Sequence, residues 1–289
     1  MTQWLKCGRF DFAMGVGQRP LIMGILNLTP DSFSDGGQFL HLETALSHAE
    51  QMIGNGVDII DIGGESSRPG ALPVSLQEEL DRVMPVLYSL RDCGKALSVD
   101  THKPEVMRQA LLAGADMIND IKAFSTAGAI DAVRDSDCGL CVMHMQRNPQ
   151  VMQADPVYDD VVEDVLQFLL ERAEALQDEG IDAGRLCLDP GFGFGKTLAH
   201  NLALLQNLEN IGRRTGFPIL AGLSRKSMIG ELTGRMPAQR AAGSVAGALI
   251  AAGAGAAILR VHDVAETVDA LKVWQAVRQI DETKESRIT

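Results

Sequence analysis

The sequence is short of positive charge, with 26 lysines and arginines against 38 aspartates and glutamates and a formal net charge of −12. A chain this acidic is a poor match for nonspecific binding to nucleic acid or to an anionic membrane surface. If its ligand is an anion, the cations that bind it must be concentrated locally, against the field of the whole chain. We therefore expect no nucleic acid and no membrane among its partners.

Long, strongly apolar segments are also absent. A membrane-spanning helix needs roughly 20 predominantly apolar residues, and the richest stretch, 241–259, consists mostly of alanine and glycine and is predicted to form a helix, a loop and a strand. The opening residues MTQWLKCGRF lack the apolar centre of a signal peptide. These features predict a soluble protein of the cytoplasm.

Cysteine is scarce and scattered. The five cysteines are an odd number, and their spacing matches neither a disulfide framework nor a zinc site. Cys138 and Cys141 have the spacing of a redox motif, but the segment runs into a predicted strand, so we interpret both as small buried hydrophobic residues. Any bound metal is expected to be Mg²⁺, which takes few protein ligands and keeps water and phosphate oxygens.

What the sequence does contain is a regular alternation of short apolar runs, polar or glycine-rich loops and amphipathic segments. Most of the runs show little alternation of polarity, as expected for strands that are buried on both faces. The predicted strands are 21–28, 57–62, 96–99, 117–118, 140–143, 186–188, 219–223 and 256–261.

The segments between these strands are predicted to be helices. Apolar residues recur at helical spacing over 42–53, 162–176 and 264–277, and the weakest helix candidate is 127–133. Eight strand–helix alternations fit either a closed (β/α)₈ barrel or an open doubly wound sheet. The eightfold count favours the barrel, which typically takes about 250 residues.

The composition does not change sharply anywhere along the 289 residues. We therefore predict a single α/β domain, a (β/α)₈ TIM barrel over 1–289, in which 1–20 is a short N-terminal extension. Within that extension, 4–7 and 10–12 flank Gly8 and are predicted to form a small hairpin.

Each predicted strand is followed by polar residues of kinds that bind ligands or take part in catalysis. One such residue is usually a helix cap. In a parallel barrel, however, the carboxyl ends of all strands meet on one face, and polar groups at every strand end indicate a shared site. In strand order they are Asn27, Glu65 to Arg68, Asp100, Asn119 with Asp120, His144, Asp189, Ser224 to Lys226, and Arg260 with His262.

Two loops at these ends, 28–37 and 63–70, are long and rich in turn-forming residues. Such barrel loops commonly close over substrate, although an ordinary surface connection is the alternative. The segment 189–196 is rich in glycine, but Pro190 breaks the Walker pattern and Lys196 replaces the third glycine of the dinucleotide pattern. It is better explained as a tight turn that lets backbone approach a flat ligand.

Together these segments resemble the dihydropteroate synthase family, in the family's order and over nearly the whole chain. Those at 25–37 and 189–196 are the most specific, and Ser67, where many members carry threonine, is the one departure that we note. The matching segments are ILNLTPDSFSDGG (25–37), GGESSRPG (63–70), SVDT (98–101), ND (119–120), DPGFGFGK (189–196), SRKS (224–227) and RVHDV (260–264).

The resemblance implies a TIM barrel that usually forms a homodimer, and a transferase of folate biosynthesis. The implied reaction joins 6-hydroxymethyl-7,8-dihydropterin pyrophosphate to 4-aminobenzoate and yields 7,8-dihydropteroate and pyrophosphate, by a substitution in which pyrophosphate leaves first. It also implies that Mg²⁺ accompanies the pyrophosphate and that sulfonamides compete with 4-aminobenzoate.

The pterin site implied by the resemblance accounts for five polar residues. Asp189 would accept two N–H bonds from the 2-amino-4-oxopyrimidine edge, and Asn119 would bind the neighbouring edge. Asp100 would hold the reduced ring from the other side. Lys226 would donate to the oxo and nitrogen acceptors, and Arg260 would lie flat against the ring or pair with phosphate.

The remaining assignments concern the pyrophosphate, the reacting carbon and the aminobenzoate. Asp35 is the candidate for stabilising the developing pterin-methyl cation and, with Arg68 and Lys226, is expected to be catalytic. The residues assigned to the pyrophosphate are Arg68, Ser67, His262, Arg260 and Asn27, the last as a Mg²⁺ ligand, and those assigned to the aminobenzoate pocket are Phe33, Pro69, Phe194 and Ser227.

Other interpretations stay open at this point. Asp100 and Asp189 could each be a helix cap, Lys226 could be solvated, and His144 is interpreted as structural or peripheral. The rival functions are a pterin-dependent methyltransferase domain, a Schiff-base aldolase that uses Lys226, and a non-catalytic pterin-binding protein. The residues of 31–35 and Arg68 disfavour the first, and the two long loops disfavour the last.

Overall fold

The computed structural model describes residues 3–15, 18–28, 38–68, 70–147, 152 and 155–285. Its first two strands, β1 (Gln3–Cys7) and β2 (Phe10–Met14), pair antiparallel as a hairpin. Gly8 in the connecting turn has a φ of +58°, a left-handed conformation that glycine adopts without steric penalty. The hairpin predicted for this segment is confirmed.

Eight parallel strands form the barrel. They are β3 (Leu21–Asn27), β4 (Ile59–Gly63), β5 (Ala96–Asp100), β6 (Met117–Asp120), β7 (Gly139–Met143), β8 (Leu186–Asp189), β9 (Leu220–Ala221) and β10 (Ile258–Val261). The sheet runs in the order β8-β7-β6-β5-β4-β3-β10-β9, and a parallel bridge between Leu188 and Ile219 joins its two edges. The predicted barrel is confirmed, and the open doubly wound sheet is excluded.

The helices follow the strands and cover the outside of the barrel. They are α1 (Gln38–Gly54), α2 (Leu76–Leu90), α3 (Pro104–Leu112), α4 (Ala129–Val133), α5 (Val161–Asp178), α6 (Leu198–Gln206), α7 (Leu208–Thr215), α8 (Ser227–Thr233), α9 (Ala241–Gly253) and α10 (Val264–Glu285). Side chains cap several of their first turns: Ser75 accepts a hydrogen bond from the N–H of Glu78 before α2, and Asp160 accepts two backbone bonds before α5.

Two elements are shorter than the sequence predicts. The seventh barrel strand, predicted over 219–223, pairs regularly only over Leu220–Ala221, because the chain turns soon afterwards at Arg225, which has a φ of +58°. The helix predicted over 127–133 begins at Ala129, because Gly128 precedes it in a left-handed conformation.

The amino-terminal end of the barrel interior is apolar and is covered by the hairpin. Leu5, Cys7 and Met14 form one buried cluster with inward-facing residues of the barrel strands. Arg9 holds the hairpin in place through an ion pair with Asp116, with 2.8 Å between Nη2 and Oδ2. The hairpin therefore covers this end of the barrel, and the carboxyl ends of the strands lie at the opposite end.

The cysteines behave as the sequence predicts. All five are free, and Cys138 and Cys141 are buried, which confirms their interpretation as small hydrophobic residues. Within the described ranges, no helix combines the length and apolarity that a membrane span requires.

Candidate active site

The polar residues predicted at the strand ends meet at the carboxyl-terminal face of the barrel. Asn27 ends β3, Asp100 ends β5, Asn119 lies in β6, Asp189 ends β8, and Arg260 lies in β10. A cavity of about 660 Å³ opens on this face, and its wall includes Asn27, Asp100 and Arg260. Asn119 and Asp189 are buried. The shared site expected from the sequence is therefore formed.

Arg260 is the centre of a partly buried ion-pair network. Its Nε donates to Asp61 Oδ2 at 2.6 Å, and its Nη2 donates to Asp100 Oδ2 at 2.7 Å. Burial opposes the charge of Arg260, but the two carboxylates outweigh this effect and raise its pKa above the ordinary value. Burial also opposes the charge of Asp100 and so raises its pKa, and the guanidinium of Arg260 acts against that rise. These contacts exclude the interpretation of Asp100 as a mere helix cap.

Sequence reasoning missed Asp61. This residue is fully buried in β4, and its Oδ2 also accepts a hydrogen bond from Asn119 Nδ2 at 3.2 Å. The signal was available, because Asp61 stands inside the otherwise apolar run 59–62. A buried strand tolerates a carboxylate only where a partner compensates its desolvation.

Asp189 is held at the start of the glycine-rich turn, where its Oδ1 accepts a bond from the N–H of Gly191 at 2.7 Å. Gly191, Gly193 and Gly195 have φ values of +70°, +79° and +65°. A Cβ at Gly191 would lie 1.8 Å from the carbonyl oxygen of His144, so only glycine fits there. The tight turn predicted for 189–196 is confirmed. Burial raises the pKa of Asp189, and the charge of Lys226 opposes that rise.

Lys226 extends along the same turn. Its Nζ donates to the carbonyl oxygen of Phe192 and lies 4.7 Å from the centre of the Phe194 ring. Burial lowers the pKa of Lys226 to about 8, and the carboxylate of Asp189 limits the fall. The ammonium is thus largely charged at neutral pH, and its fixed position excludes the solvated role.

A second lysine supports the turn from behind. Lys196 is 3% exposed, and its Nζ donates to the carbonyl oxygens of Gly191 at 3.0 Å and Phe194 at 3.1 Å. The same Nζ lies 2.9 Å from Nδ1 of His144. Burial, reinforced by the charge of Lys196, lowers the pKa of His144 to about 3, so the imidazole is neutral. These contacts give His144 a structural place beside the turn.

The turn that carries Lys226 is held in an unusual backbone conformation. Arg225 has a φ of +58°, a region that costs a non-glycine residue of order 1–3 kcal/mol. Its Nη2 lies 2.5 Å from Asp263 Oδ1, and its N–H donates to Ser244 Oγ at 2.9 Å. These bonds hold the strained turn, and the turn sets the direction in which Lys226 leaves the chain.

Groups suited to an anion also line the cavity. Ser67, Arg68 and His262 line it. The N–H and Nδ1 of His262 each lie 3.1 Å from Ser224 Oγ. Burial, followed by the charge of Arg260, lowers the pKa of His262 to about 3. His262 can therefore form hydrogen bonds as a neutral ring, and Arg68 adds a positive charge to the cavity wall.

Arg68 is exposed, but the loop on which it lies has an anchored base. Lys103 bonds to the carboxylates of both Glu65 and Glu79. Arg82 adds a bond from Nη1 to the carbonyl oxygen of Gly64 at 2.8 Å. These anchored residues precede Ser66, and Ser67 and Arg68 follow them along the loop at the cavity wall.

The aminobenzoate assignments are only partly accessible. Phe194 and Ser227 line the same cavity as Lys226. Phe33, Asp35 and Pro69 lie outside the described residues.

The described residues match only one mode of Mg²⁺ binding, in which the protein supplies few ligands. Across the described ranges, no group of three or more His, Cys, Asp or Glu residues is arranged to hold a metal ion. Asn27 contributes one amide side chain to the cavity wall. Mg²⁺ commonly binds one or two protein ligands and completes its octahedron with water and phosphate oxygens. A Mg²⁺ ion that accompanied a bound pyrophosphate would need few ligands from the protein, and Asn27 could supply one of them.

Comparison with known proteins agrees with this site. The family model described as pterin binding enzyme matches residues 23–262. A dihydropteroate synthase of Neisseria meningitidis serogroup C is 51% identical over 276 residues, which are 94% of this chain and 96% of the relative.

Two solved structures share both fold and sequence. Burkholderia cenocepacia dihydropteroate synthase complexed with 7,8-dihydropteroate is 54% identical, with a TM-score of 0.89 over 98% of this chain and 99% of that one. Xanthomonas albilineans dihydropteroate synthase with 4-aminobenzoic acid is 52% identical, with a TM-score of 0.89 over 96% and 99% of the two chains.

Proposed function

This chain belongs to the dihydropteroate synthase family of pterin-binding enzymes, and from that premise we propose how its barrel site condenses 6-hydroxymethyl-7,8-dihydropterin pyrophosphate with 4-aminobenzoate. The chain is a transferase, and the products are 7,8-dihydropteroate and pyrophosphate. The observation that carries the proposal is the arrangement of the buried Asp189 and Asn119 and the partly buried Lys226 around the Arg260–Asp100 pair. This set offers both acceptors and donors to one flat, polar ring.

The pterin ring is recognised by its hydrogen-bonding edges. The carboxylate of Asp189 accepts the ring N–H and one hydrogen of the 2-amino group, since each carboxylate oxygen can accept two bonds. Lys226 donates to the 4-oxo group and the adjacent ring nitrogen. Arg260 has Nε and Nη2 already bonded to carboxylates, so it offers the flat face of its guanidinium to the ring.

The chemical step is a substitution at the methylene carbon between ring and pyrophosphate. The C–O bond breaks and both electrons leave on the pyrophosphate oxygen. The amine nitrogen of 4-aminobenzoate then donates its lone pair to form the C–N bond, and its released proton passes to water. Arg68, Ser67 and His262 stabilise the leaving anion. Asp35 remains the candidate for stabilising the cation.

Mg²⁺, when bound, would neutralise part of the pyrophosphate charge, and Asn27 would hold it. The chain itself provides the remaining stabilisation of the anion, through donors that line the cavity wall. Because an aromatic amine is already nucleophilic, the reaction requires no strong general base.

The second substrate occupies the outer part of the cavity. Phe194 packs under the Lys226 ammonium and gives a flat apolar wall for an aromatic ring. Ser227 offers a hydroxyl at the cavity edge for the carboxylate of 4-aminobenzoate. A sulfonamide has a similar aromatic amine with a polar group opposite, so we propose that it competes for this pocket.

We also propose that the enzyme is a homodimer of the cytoplasm. Leu232 on α8, Ile250 on α9 and both Val273 and Val277 on α10 are exposed, and α9 packs against α8 and α10. Exposed apolar side chains on adjacent helices are typical of subunit interfaces. Free cysteines suit a reducing compartment. Sedimentation of the purified protein tests the dimer.

The test of function is product formation by the purified chain. Dihydropteroate should appear by mass spectrometry only with both substrates, and 4-aminobenzoate should accelerate pyrophosphate release. A non-catalytic binder would release no pyrophosphate. A methyltransferase domain or an aldolase would give no dihydropteroate, and either result would overturn the proposal.

A further inference from the structure

Asp61 links two residues of the pterin site that lie on different strands. Its Oδ2 accepts bonds from Arg260 Nε at 2.6 Å and from Asn119 Nδ2 at 3.2 Å. Asp61 is fully buried, so these contacts are shielded from competition by water. The role described above for Asp61 is its ion pair with Arg260, and its bond to Asn119 has so far been given no role.

The contact with Asp61 decides which way the amide of Asn119 points. A carboxylate paired with a guanidinium only accepts hydrogen bonds, so the amide must turn its NH₂ group toward it. The amide oxygen then points away from Asp61. That oxygen, Asn119 Oδ1, is buried and has no hydrogen-bond partner among the described residues. A buried acceptor left without a donor is destabilising unless a ligand supplies one.

We propose that Asp61 is a positioning residue that sets the ligand specificity of the pterin site, because it fixes Asn119 with its oxygen toward the ligand. Asn119 then accepts the second hydrogen of the 2-amino group whose first hydrogen goes to Asp189. The inference rests on the proposed function, since it names the group on the substrate that Asn119 recognises.

A pair of ligands separates this role from simple structural support. 6-Hydroxymethylpterin carries an amino group at position 2, and 6-hydroxymethyllumazine carries an oxo group there. The oxo group would place a second acceptor against Asn119 Oδ1, so wild-type protein should reject the lumazine strongly. Asp61→Asn keeps the size of the side chain and removes the charge. Asn119 is then free to rotate its amide by 180° and offer NH₂ to the oxo group.

The experiment is calorimetric titration of both ligands into the full-length chain. In Asp61→Asn the ratio of pterin to lumazine affinity should fall by about tenfold or more, the effect of losing one well-placed hydrogen bond. The matched control is Ser98→Ala. Ser98 pairs with Asp61 between β5 and β4, and its Oγ is buried with no partner among the described residues. Its removal should leave the ratio unchanged.

The Asn119→Ala variant keeps the test open if Asp61→Asn does not fold. Removing the amide should lower the same ratio, and adding Asp61→Asn to it should lower the ratio no further. An unchanged ratio in folded Asp61→Asn or in Asn119→Ala would overturn the inference alone. If wild-type protein neither bound the pterin nor formed dihydropteroate, the proposed function would fall, and this inference with it.

Discussion

The ammonium of Lys196 lies 2.9 Å from Nδ1 of His144, and both side chains are buried behind the glycine-rich turn. This bond ties the segment after β7 to the turn after β8, on which Asp189 depends. It requires a neutral imidazole, because a protonated ring has no lone pair to accept the bond.

We expect stability to fall in acid partly through His144. Its pKa is about 3 in the folded protein, against an ordinary value of 6.5. Between these values the unfolded chain binds the extra proton, so the free energy of unfolding decreases as the pH falls from 6.5 toward 3, by up to about 1.4 kcal/mol per pH unit. His144→Asn keeps an acceptor and does not titrate. Urea unfolding across this range should show a shallower acid loss in the variant, and parallel curves would contradict the assignment.

Gly191→Ala should destabilise the protein by more than the penalty that a left-handed backbone conformation imposes on alanine. Its Cβ would lie 1.8 Å from the His144 carbonyl oxygen, whereas Gly180, with a φ of +90°, has nothing within 4 Å of the position that a Cβ would take. Gly180→Ala should cost about 1–2 kcal/mol, the penalty of left-handed backbone for a residue with a Cβ. Gly191→Ala should cost more and should also weaken pterin binding. Equal melting temperatures for the two variants would show that the turn relaxes freely.

Asp189→Asn should weaken pterin binding by about 1.5–3 kcal/mol, because an NH₂ group replaces an acceptor facing the ligand's donors. Asp120 provides the control. It is a buried acid at the end of β6 that accepts bonds from the N–H groups of Lys122 and Phe124. Asp120→Asn should lower stability and keep pterin affinity. Calorimetry with 6-hydroxymethylpterin measures both, and near-normal affinity in Asp189→Asn would remove Asp189 from the pterin edge.

Binding of 4-aminobenzoate should depend on pyrophosphate. The protein is acidic overall, and the aromatic acid is a small anion with little area to bury. Pyrophosphate with Mg²⁺ should draw Ser67 and Arg68 inward and complete the second pocket, a coupling of about 1–3 kcal/mol. Titrations of 4-aminobenzoate with and without pyrophosphate measure it.

The same titrations on two arginine variants show whether the loop carries the coupling. Arg68→Ala should abolish it and leave the affinity for 6-hydroxymethylpterin intact. Arg213 is an exposed arginine on α7 that bonds to Asn210. The Arg213→Ala variant should therefore keep the coupling between pyrophosphate and 4-aminobenzoate. Equal affinity for 4-aminobenzoate with and without pyrophosphate in the wild type would mean that the pocket is preformed.

The sequence predicted the barrel because each strand is a short apolar run that ends at a polar residue, and the barrel brings those ends together. The contacts of Asp61 and Lys196 could not be predicted in this way, although the position of Asp61 inside an apolar run marks it as unusual. Asp61 finds its partner Arg260 at a separation of 199 residues, and no local pattern shows such a pairing. Lys196 was visible only as part of a motif, because its burial depends on how the turn folds back on His144. The length of β9 was likewise set by the strained turn at Arg225.

The hairpin that closes the barrel has a consequence for the order of events during protein synthesis. Lys6 of the hairpin pairs with Asp182, 176 residues further along the chain, and β1 packs against β7 and β8. At about 5–20 residues per second, the ribosome needs on the order of 10 s or more to supply those partners. Throughout that interval Leu5 and Met14 have no barrel interior to enter. The apolar side chains of the hairpin therefore stay exposed on the nascent chain, and chaperones can bind them before the barrel has formed.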